Sequence, residues 1–524
     1  MARRPACDPV QLEVFHHLTS AFCEEAGARL QRSAQSPNIR ERRDFSVAIF
    51  DGDGRLVAQA AHIPVHLGSA GDAVAAARAA LALRPGDVVI LNDPYAGGTH
   101  LPDLTMVRPV FAGGRRRPRW FLVNRAHHAD IGGASPGSMG IAADLHAEGL
   151  VLPPVLLRRD GRLRDDLLRL FARNVRGAAE RMVDLRAQEA SLLQLERRLL
   201  ALAAERGHAF VAAATDQLLD YSERAGRAVL RSLPRGVFTA HDHLDDDGFG
   251  NGPLRLHLRL ELRGDRAVFD WRGTCDQARG GVNANRGIVL AACVYALRCL
   301  CPHRLPTNAG LFRLVDVRTR PGSLVEPRSP APVAGGNVET SQRLVDVALA
   351  ALGRAAPGRV PAASAGTMSN LSFGGLRADG SDFASYETLP GGAGAGPTAA
   401  GQAAIQTHMT NTRNTPIEEF EHRYPVRVAA LSVRRGSGGR GARRGGDGIE
   451  KAIAPLVPLR ATFLGERHAS APPGAAGGAA GRSGALWLRR GGSRRRLPAK
   501  TACDLRPGDV LVVATPGGGG HGRG

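Results

Sequence analysis

Apolar positions near the start of the chain recur at spacings of three and four: Leu12, Phe15, Leu18, Phe22, Ala26 and Leu30. That period belongs to a helix with one buried face. Asp8-Pro9 supplies its start, an N-cap followed by proline at the first helical position, and Ser36-Pro37 its end. The pattern then changes. Residues 45–50 and 55–60 are short β-prone runs joined by Asp51-Gly52-Asp53-Gly54, a hairpin signal. The alanine-rich stretch 70–83 predicts a helix stopped by Pro85-Gly86, and 88–92, 104–111 and 120–124 predict strands. Residues 163–206, rich in Leu and Arg, predict one long helical region and 208–233 a second, together a helical hairpin closed by Pro234-Arg235-Gly236.

Beyond Val237 the chain alternates in character through HDHLDDDG and LRLHLRLELRGDRAVFDWRGT, with hairpin turns expected at 246–248 and 264–265. Residues 286–301 and 340–355 predict helices, and the glycine-rich tail after Arg435 carries short strands such as 461–464 and 510–514. No internal repeat is visible. The expected fold is α/β (α+β) in three parts. A mixed-sheet N-terminal domain with a long helical hairpin spans 1–235, an α+β domain 236–430, and a Gly-rich β region 431–524.

Composition narrows the function classes. The chain has 524 residues, 43% apolar and 23% charged, the balance of a globular protein large enough for several domains. Its net charge of +20 invites a nucleic-acid reading, but the detail opposes it. Lys451 and Lys500 are the only lysines, and the arginines are scattered apart from short runs at 115–117 and 494–496. No basic motif interleaved with aromatics is present. The seven cysteines form no CxxC pair, which points to reduced thiols in a cytosolic protein. The N-terminus lacks an apolar leader, and the most apolar run, 287–301, is short and interrupted by Arg298. The expectation is a cytoplasmic protein with neither nucleic acid nor membrane as partner.

Candidate chemistry gathers in four glycine-flanked stretches: RRDFS (42–46), AAHIPVHLGS (60–69), NDPYAGGTHLPD (92–103) and NRAHHADIGG (124–133). Imidazole and carboxylate suit a borderline or hard divalent metal. His100 and Asp103, three apart on a loop, can converge on one point. His127 and His128 point opposite ways if the segment is extended, so at most one is a direct ligand. The other supports the site or faces substrate. Asp44 stands at a strand start. One such segment alone reads as turn chemistry; three, each ending a strand, favour a metal centre of two imidazoles and two carboxylates with an open position.

Other features carry less. GGAGAG (391–396) resembles a phosphate cradle or a turn, and no GxxxxGK[ST] is present. THMTNTRNTP (407–416) lines a site or holds a long loop. GNVETSQR (336–343) reads as a helix start with Asn337 or Thr340 as cap and Glu339 in the first turn. HDHLDDD (241–247) has cation-binding residue types but falls in an expected hairpin turn.

Several of these motifs occur together. SPNIRERRDFSVAIFDGDGRLVAQAAHIPVHLGS, NDPYAGGTHLPDLT, NRAHHADIGGASPGSMG, GNVETSQRLVD, GTMSNLSFGG, THMTNTRNTPIE, RRGGDG and the closing TPGGGG resemble, in the same order, the hydantoinase B/oxoprolinase family. The resemblance runs from about Asp8 to Gly520. It implies a hydrolase of carbon–nitrogen bonds in cyclic amides such as hydantoins or 5-oxoproline, working within a hetero-oligomer. A hydantoinase A-type partner with an actin-like ATPase fold would bind ATP and phosphorylate the amide oxygen. This chain would bind a divalent metal (zinc first, manganese or iron as alternatives) and complete ring opening.

Related complexes carboxylate acetone or acetophenone, the alternative activity. The family's metal ligands fall on Asp44, His100, Asp103 and His127. His128 and Asp130 stand behind them, and with Glu148 make up the catalytic set the resemblance implies. The chain departs from the family after GSMG. It reads IAADLHAEG where something nearer ATEIYQEG is expected, with Ala143 and Asp144 in place of Thr and Glu, and Glu148 retained. The C-terminus closes as HGRG. The first change bears on substrate identity if that loop lines the pocket.

Overall fold

The computed structural model describes residues 7–60, 63–66, 68–114 and 116–524. His62 of the AAHIPVHLGS stretch, Arg115 of the short basic run and the first six residues of the N-terminus lie outside them.

Asp8 caps α1 (Pro9–Ser33), its carboxylate accepting the N–H of Val10 at 2.8 Å and of Gln11 at 3.0 Å. The Gln11 side chain accepts the Asp8 N–H in return, closing a capping box. Phe15, Phe22, Cys23, Ala26 and Leu30 form the buried stripe. After α2 (Pro37–Arg40) come β1 (Phe45–Asp51) and β2 (Leu56–Gln59), then α3 (Ala70–Ala80). β3 (Val88–Leu91), β4 (Asp103–Val110), β5 (Trp120–His127), β6 (Val155–Arg159) and β7 (Arg162–Leu163) complete a seven-stranded sheet in the order β2-β1-β5-β4-β3-β6-β7. Every pairing in it is antiparallel, where the sequence pointed to a mixed sheet. The short α4 (Leu145–Glu148) precedes β6.

Residues 163–206 are not one helix. β7 takes the first of them, α5 spans Asp165–Asn174, and α6 (Ala178–Arg206) starts only after Gly177, whose φ of 61° breaks the helical run. α7 (His208–Arg231) then folds back against α6. Period-two alternation divides the sheet's two faces. Val47, Ile49, Leu104, Met106, Leu122 and Ala126 pack with α1 and α6. Ala48, Phe50, Val89, Val107, Phe121 and Val123 pack with α3 and with Ala291 and Val294 of a later helix.

That helix is α8 (Arg286–Arg298), part of the second layer. Here β8 (Gly236–Leu244), β9 (Leu254–Leu262), β10 (Ala267–Asp270) and β11 (Val315–Arg318) pair in the order β11-β10-β9-β8. Among the described strands, β10 and β11 are the pair that runs parallel. Leu256, Leu258, Leu260 and Leu262 turn inward beneath α8 and α10 (Ser341–Ala355), with α9 (Ala309–Phe312) between them in the chain. HDHLDDD is only partly a turn: His241, Asp242 and His243 lie within β8. GNVETSQR also differs from expectation. Gly336–Thr340 is a π-turn leading into α10, and neither Asn337 nor Thr340 caps it through a side chain.

The remaining strands are β12 (Asn370–Leu376), β13 (Asp382–Thr388), β14 (Val426–Val433), β15 (Ile449–Pro455), β16 (Leu459–Leu464), β17 (Ala485–Arg490), β18 (Ser493–Leu497), β19 (Lys500–Leu505) and β20 (Val510–Ala514), with α11 (Ile417–Arg423) before β14. They make two sheets, β13-β12-β16-β19 and β14-β15-β20-β17-β18, around a core that includes Leu371, Phe373, Phe463 and Val513. The division expected at residue 430 therefore falls inside β14, and one sheet takes strands from both sides of it. GGAGAG is neither an open cradle nor a simple turn. It packs against the other glycine runs so closely that a Cβ on Gly392 would lie 1.9 Å from the Gly446 carbonyl oxygen. Among the described residues no helix is long and apolar enough to cross a membrane.

Candidate metal centre

Three adjacent strands bring three nominated residues to one end of the first sheet. Asp103 opens β4 and pairs with His127, which closes β5. The His127 N–H donates to the Asp44 carbonyl at 3.0 Å, just ahead of β1. Neighbouring rungs place side chains on the same face, so Asp44, His127 and Asp103 share one. His100 reaches them from the loop before β4. Its Nδ1 lies 3.1 Å from Asp103 Oδ2, and His127 Nδ1 lies 3.4 Å from Asp103 Oδ1. One ligand atom from each of His100, Asp103 and His127 can be chosen so that all lie within 4.8 Å of one another. All three side chains are buried.

The donor set fits a divalent cation. His100 Nδ1, Asp103 Oδ1 and His127 Nε2 have no hydrogen-bond partner among the described residues, which buried polar atoms rarely lack. Burial pushes the His127 imidazole down from its usual pKa, outweighing Asp103 and Asp44, and so favours the neutral, ligating form. Burial works against the charge of Asp103, but the neighbouring imidazoles of His100, His66 and His127 hold its carboxyl well below the usual range. Asp44 stands beside this group rather than in it, with Arg42 3.6 Å from its carboxylate.

The other nominated residues are engaged elsewhere. His128 points to the opposite face, where its Nε2 meets Gln188 Oε1 of α6 at 2.9 Å and burial lowers its pKa to about 4. Asp130 ties a loop together, accepting N–H bonds from Gly132, Gly137 and Arg176 and pairing with the Arg176 guanidinium at 3.0 Å. Glu148 accepts the N–H of Val333 at 3.1 Å and of Ala334 at 2.9 Å. Burial pushes its carboxyl up to about 8 against those two donors. These contacts shape the surroundings of the triad and do not join it. The THMTNTRNTP segment acts mainly as a held loop, with Thr412 on Thr388 and Asn414 donating to the Thr388 carbonyl.

Three residues without an assigned role in the sequence stand at the centre. His66 lies in AAHIPVHLGS, one of the four stretches. Its Nε2 is 3.1 Å from Asp103 Oδ2 and its Nδ1 2.9 Å from Ser46 Oγ. Thr99 also donates to Asp103 Oδ2, at 2.7 Å. Tyr386 of β13 stacks on His127 at 4.4 Å and 20°, while its hydroxyl donates to Asn370. Arg42 lies over the Tyr386 ring and donates to its carbonyl. Asn337 Nδ2 approaches His100 Nε2 at 3.5 Å. The residue types in the 60–69 stretch could have flagged His66; no local signal joins Tyr386 or Asn337 to residues more than two hundred positions earlier.

The family model of hydantoinase B/oxoprolinase matches residues 8–524. A 5-oxoprolinase of Dictyostelium discoideum is 36% identical over 98% of this chain, which spans only 40% of that relative's length. Caprolactamase subunit beta of Pseudomonas jessenii is 31% identical, over 98% of this chain and 91% of its own. The crystal structure of the ATP-dependent caprolactamase from that organism superposes with a TM-score of 0.93 at 29% identity, covering 99% of this chain and 92% of the other. A nucleotide-free acetone carboxylase structure gives 0.89 over 98% of this chain and 76% of the other; at 18% identity that likeness is one of fold.

Proposed function

This chain belongs to the hydantoinase B/oxoprolinase family, and we propose on that premise that it is the metal-dependent hydrolytic subunit of an ATP-dependent cyclic amidase. The observation that carries the proposal is the buried His100, Asp103 and His127 group, whose donor atoms converge within 4.8 Å. With Asp44 as fourth ligand it gives two imidazoles and two carboxylates, a set suited to zinc and open to manganese or iron. A divalent cation held there polarises a carbonyl oxygen or lowers the pKa of water.

The protein's own residues hold that set in place. His66 and Thr99 fix the inner oxygen of Asp103, Tyr386 covers one face of His127, and His128, Asp130 and Glu148 secure the surrounding loops. A partner ATPase of the hydantoinase A type binds ATP and activates the amide, in keeping with the relatives that form subunits or contain this region as part of a longer chain. The substrate is a small cyclic amide of the hydantoin or lactam kind.

The test is metal analysis of the purified full chain together with ATP-dependent turnover of hydantoins and lactams after reconstitution with its ATPase partner. His100→Ala and His127→Ala should each lose metal and turnover together. Stoichiometric metal retained in both variants overturns the ligand set. Bicarbonate-dependent ATP consumption with a ketone, and no ring opening, would replace hydrolysis by carboxylation.

A further inference from the structure

β14 stands at the edge of its sheet, paired with β15 on one side and with no strand of the described residues on the other. Its first half is guarded. The Val428 N–H donates to Glu421 Oε1 at 2.7 Å, and a bulge follows between Val428 and Ala430. Its second half is open. All of residues 429–433 are exposed and none is charged. The Arg434 N–H donates inward to the Gly448 carbonyl at 2.8 Å. Backbone groups alternate in direction along a strand, so the N–H groups of Leu431 and Val433 point away from β15. Proteins blunt such an edge with charge, proline or cover, because it is a template for another strand.

The side chains of Leu431 and Val433, 49% and 45% exposed, form one wall of a cleft of about 330 Å³. Ile417 and Phe420 of α11 and Leu389 line it as well. So does Lys451, which pairs with Glu387 and stands 4.4 Å from the centre of the Phe420 ring. β13 joins this cleft to the metal centre. Glu387 follows Tyr386, which stacks on His127, and three residues of extended chain, about 10 Å, separate Tyr386 from Leu389.

Edge and cleft together suit an extended peptide, its main chain pairing with β14 and one apolar side chain filling the cleft. A second copy of the chain is the poorer occupant. Paired antiparallel about Leu431, it would set Arg427 against Arg435 at both ends, and like charges directly opposite each other oppose pairing. Arg427 is 70% exposed and Arg435 is exposed too, so a strand with carboxylates at its ends is the complementary one. We propose that the open edge of β14 and the cleft beside it receive an extended segment of the ATPase partner. It adds as an antiparallel strand, with an apolar side chain in the cleft and carboxylates meeting Arg427 and Arg435. This rests on the reading above that the chain works with such a partner. The short step from the cleft to Tyr386 then sets the partner close to the centre that takes up its activated amide.

The experiment measures association of the full-length, metal-loaded chain with its hydantoinase A-type ATPase partner by sedimentation velocity. It compares wild type, Leu431→Asp, the double variant Arg427→Glu with Arg435→Glu, and a control, Val10→Asp, at a 72% exposed position of α1. Leu431→Asp should raise Kd by about thirtyfold, the effect of losing one interface hot spot. The double variant should weaken association more at low salt than at high. Val10→Asp should assemble as the wild type does, and every variant alone should keep its metal. Leu431→Asp assembling as tightly as wild type overturns the docking site, as does equal weakening by Val10→Asp. A wild type that dimerises alone, with a Leu431→Asp variant that does not, gives the edge to a second copy and overturns its assignment to the partner. A wild type that forms no complex with the ATPase overturns the partner reading and this proposal with it.

Discussion

Asp103 has more contacts with its neighbours than either histidine beside it. One oxygen is held by Thr99 and His66; the other points toward His127 with no hydrogen bond of its own among the described residues. Groups that orient a metal ligand from behind typically govern affinity by about 10- to 100-fold. His66→Ala should therefore weaken metal binding by about that factor, and competition with a chromogenic chelator reads it. Unaltered metal affinity would remove His66 from the site. His100, Asp103 and His127 were legible because each sits in a short polar stretch ending or beginning a strand. His66 was legible only as a residue type in such a stretch. Tyr386 and Asn337 were not legible, since they reach the triad only through tertiary packing.

Glu148 gives a prediction of another kind at this scale. Its carboxyl titrates near 8 in the fold because burial opposes the charge, against an ordinary value of 4.5. Between those values the folded chain holds a proton the unfolded chain has released, so this residue's contribution to stability falls as pH rises. The stability difference between wild type and Glu148→Gln should move against the wild type from pH 5 to pH 8, as read by urea denaturation at each pH. A difference that stays flat across that window would mean the carboxyl is already ionised in the fold.

Among the elements, the helices and most strands of the first sheet follow the period of their apolar residues, and α1 shows its cap, stripe and end directly in the chain. The strands β12 and β13 escaped notice although they pair with each other; the other partner of β12, β16, lies far along the chain. The glycine-rich runs were the hardest to read. Glycine in sequence suggests turns and freedom, yet here it permits backbones to touch. A Cβ on Gly518 would stand 2.0 Å from the Ala393 carbonyl oxygen, whereas one on Gly396 would come no closer than 3.8 Å to its nearest neighbour, the Ala399 carbonyl oxygen. Gly518→Ala should cost at least the ~1–3 kcal/mol of an overpacked core, and Gly396→Ala should be close to neutral. Chemical denaturation of the two variants side by side checks this; equal stability would show that the glycine runs can spread apart.

For the molecule as a whole, the three expected regions share their interior. The largest core joins Ile63 and Met139 to Leu256 and Trp271, to α10, and to Met368, Tyr386, Met409 and Leu464. The 235/236 division falls in the connection between α7 and β8, but the cores cross it freely. A buried ionic network reinforces the crossing. Arg343 of α10 and Lys500 of β19 both meet Glu466, while Arg467 meets Asp242 of β8 and Asp346 of α10. Removing one member leaves charges buried without their partner, a loss of about 3–5 kcal/mol. The metal triad lies on the same seam, because Tyr386 from a late strand stacks on His127 from an early one. Folding of the site therefore requires the whole chain at once. Calorimetry should show one cooperative unfolding transition, and Glu466→Gln should shift all of it downward together. Two resolved transitions, or a shift confined to part of the heat absorbed, would mean that the regions fold independently and that the site forms by their docking.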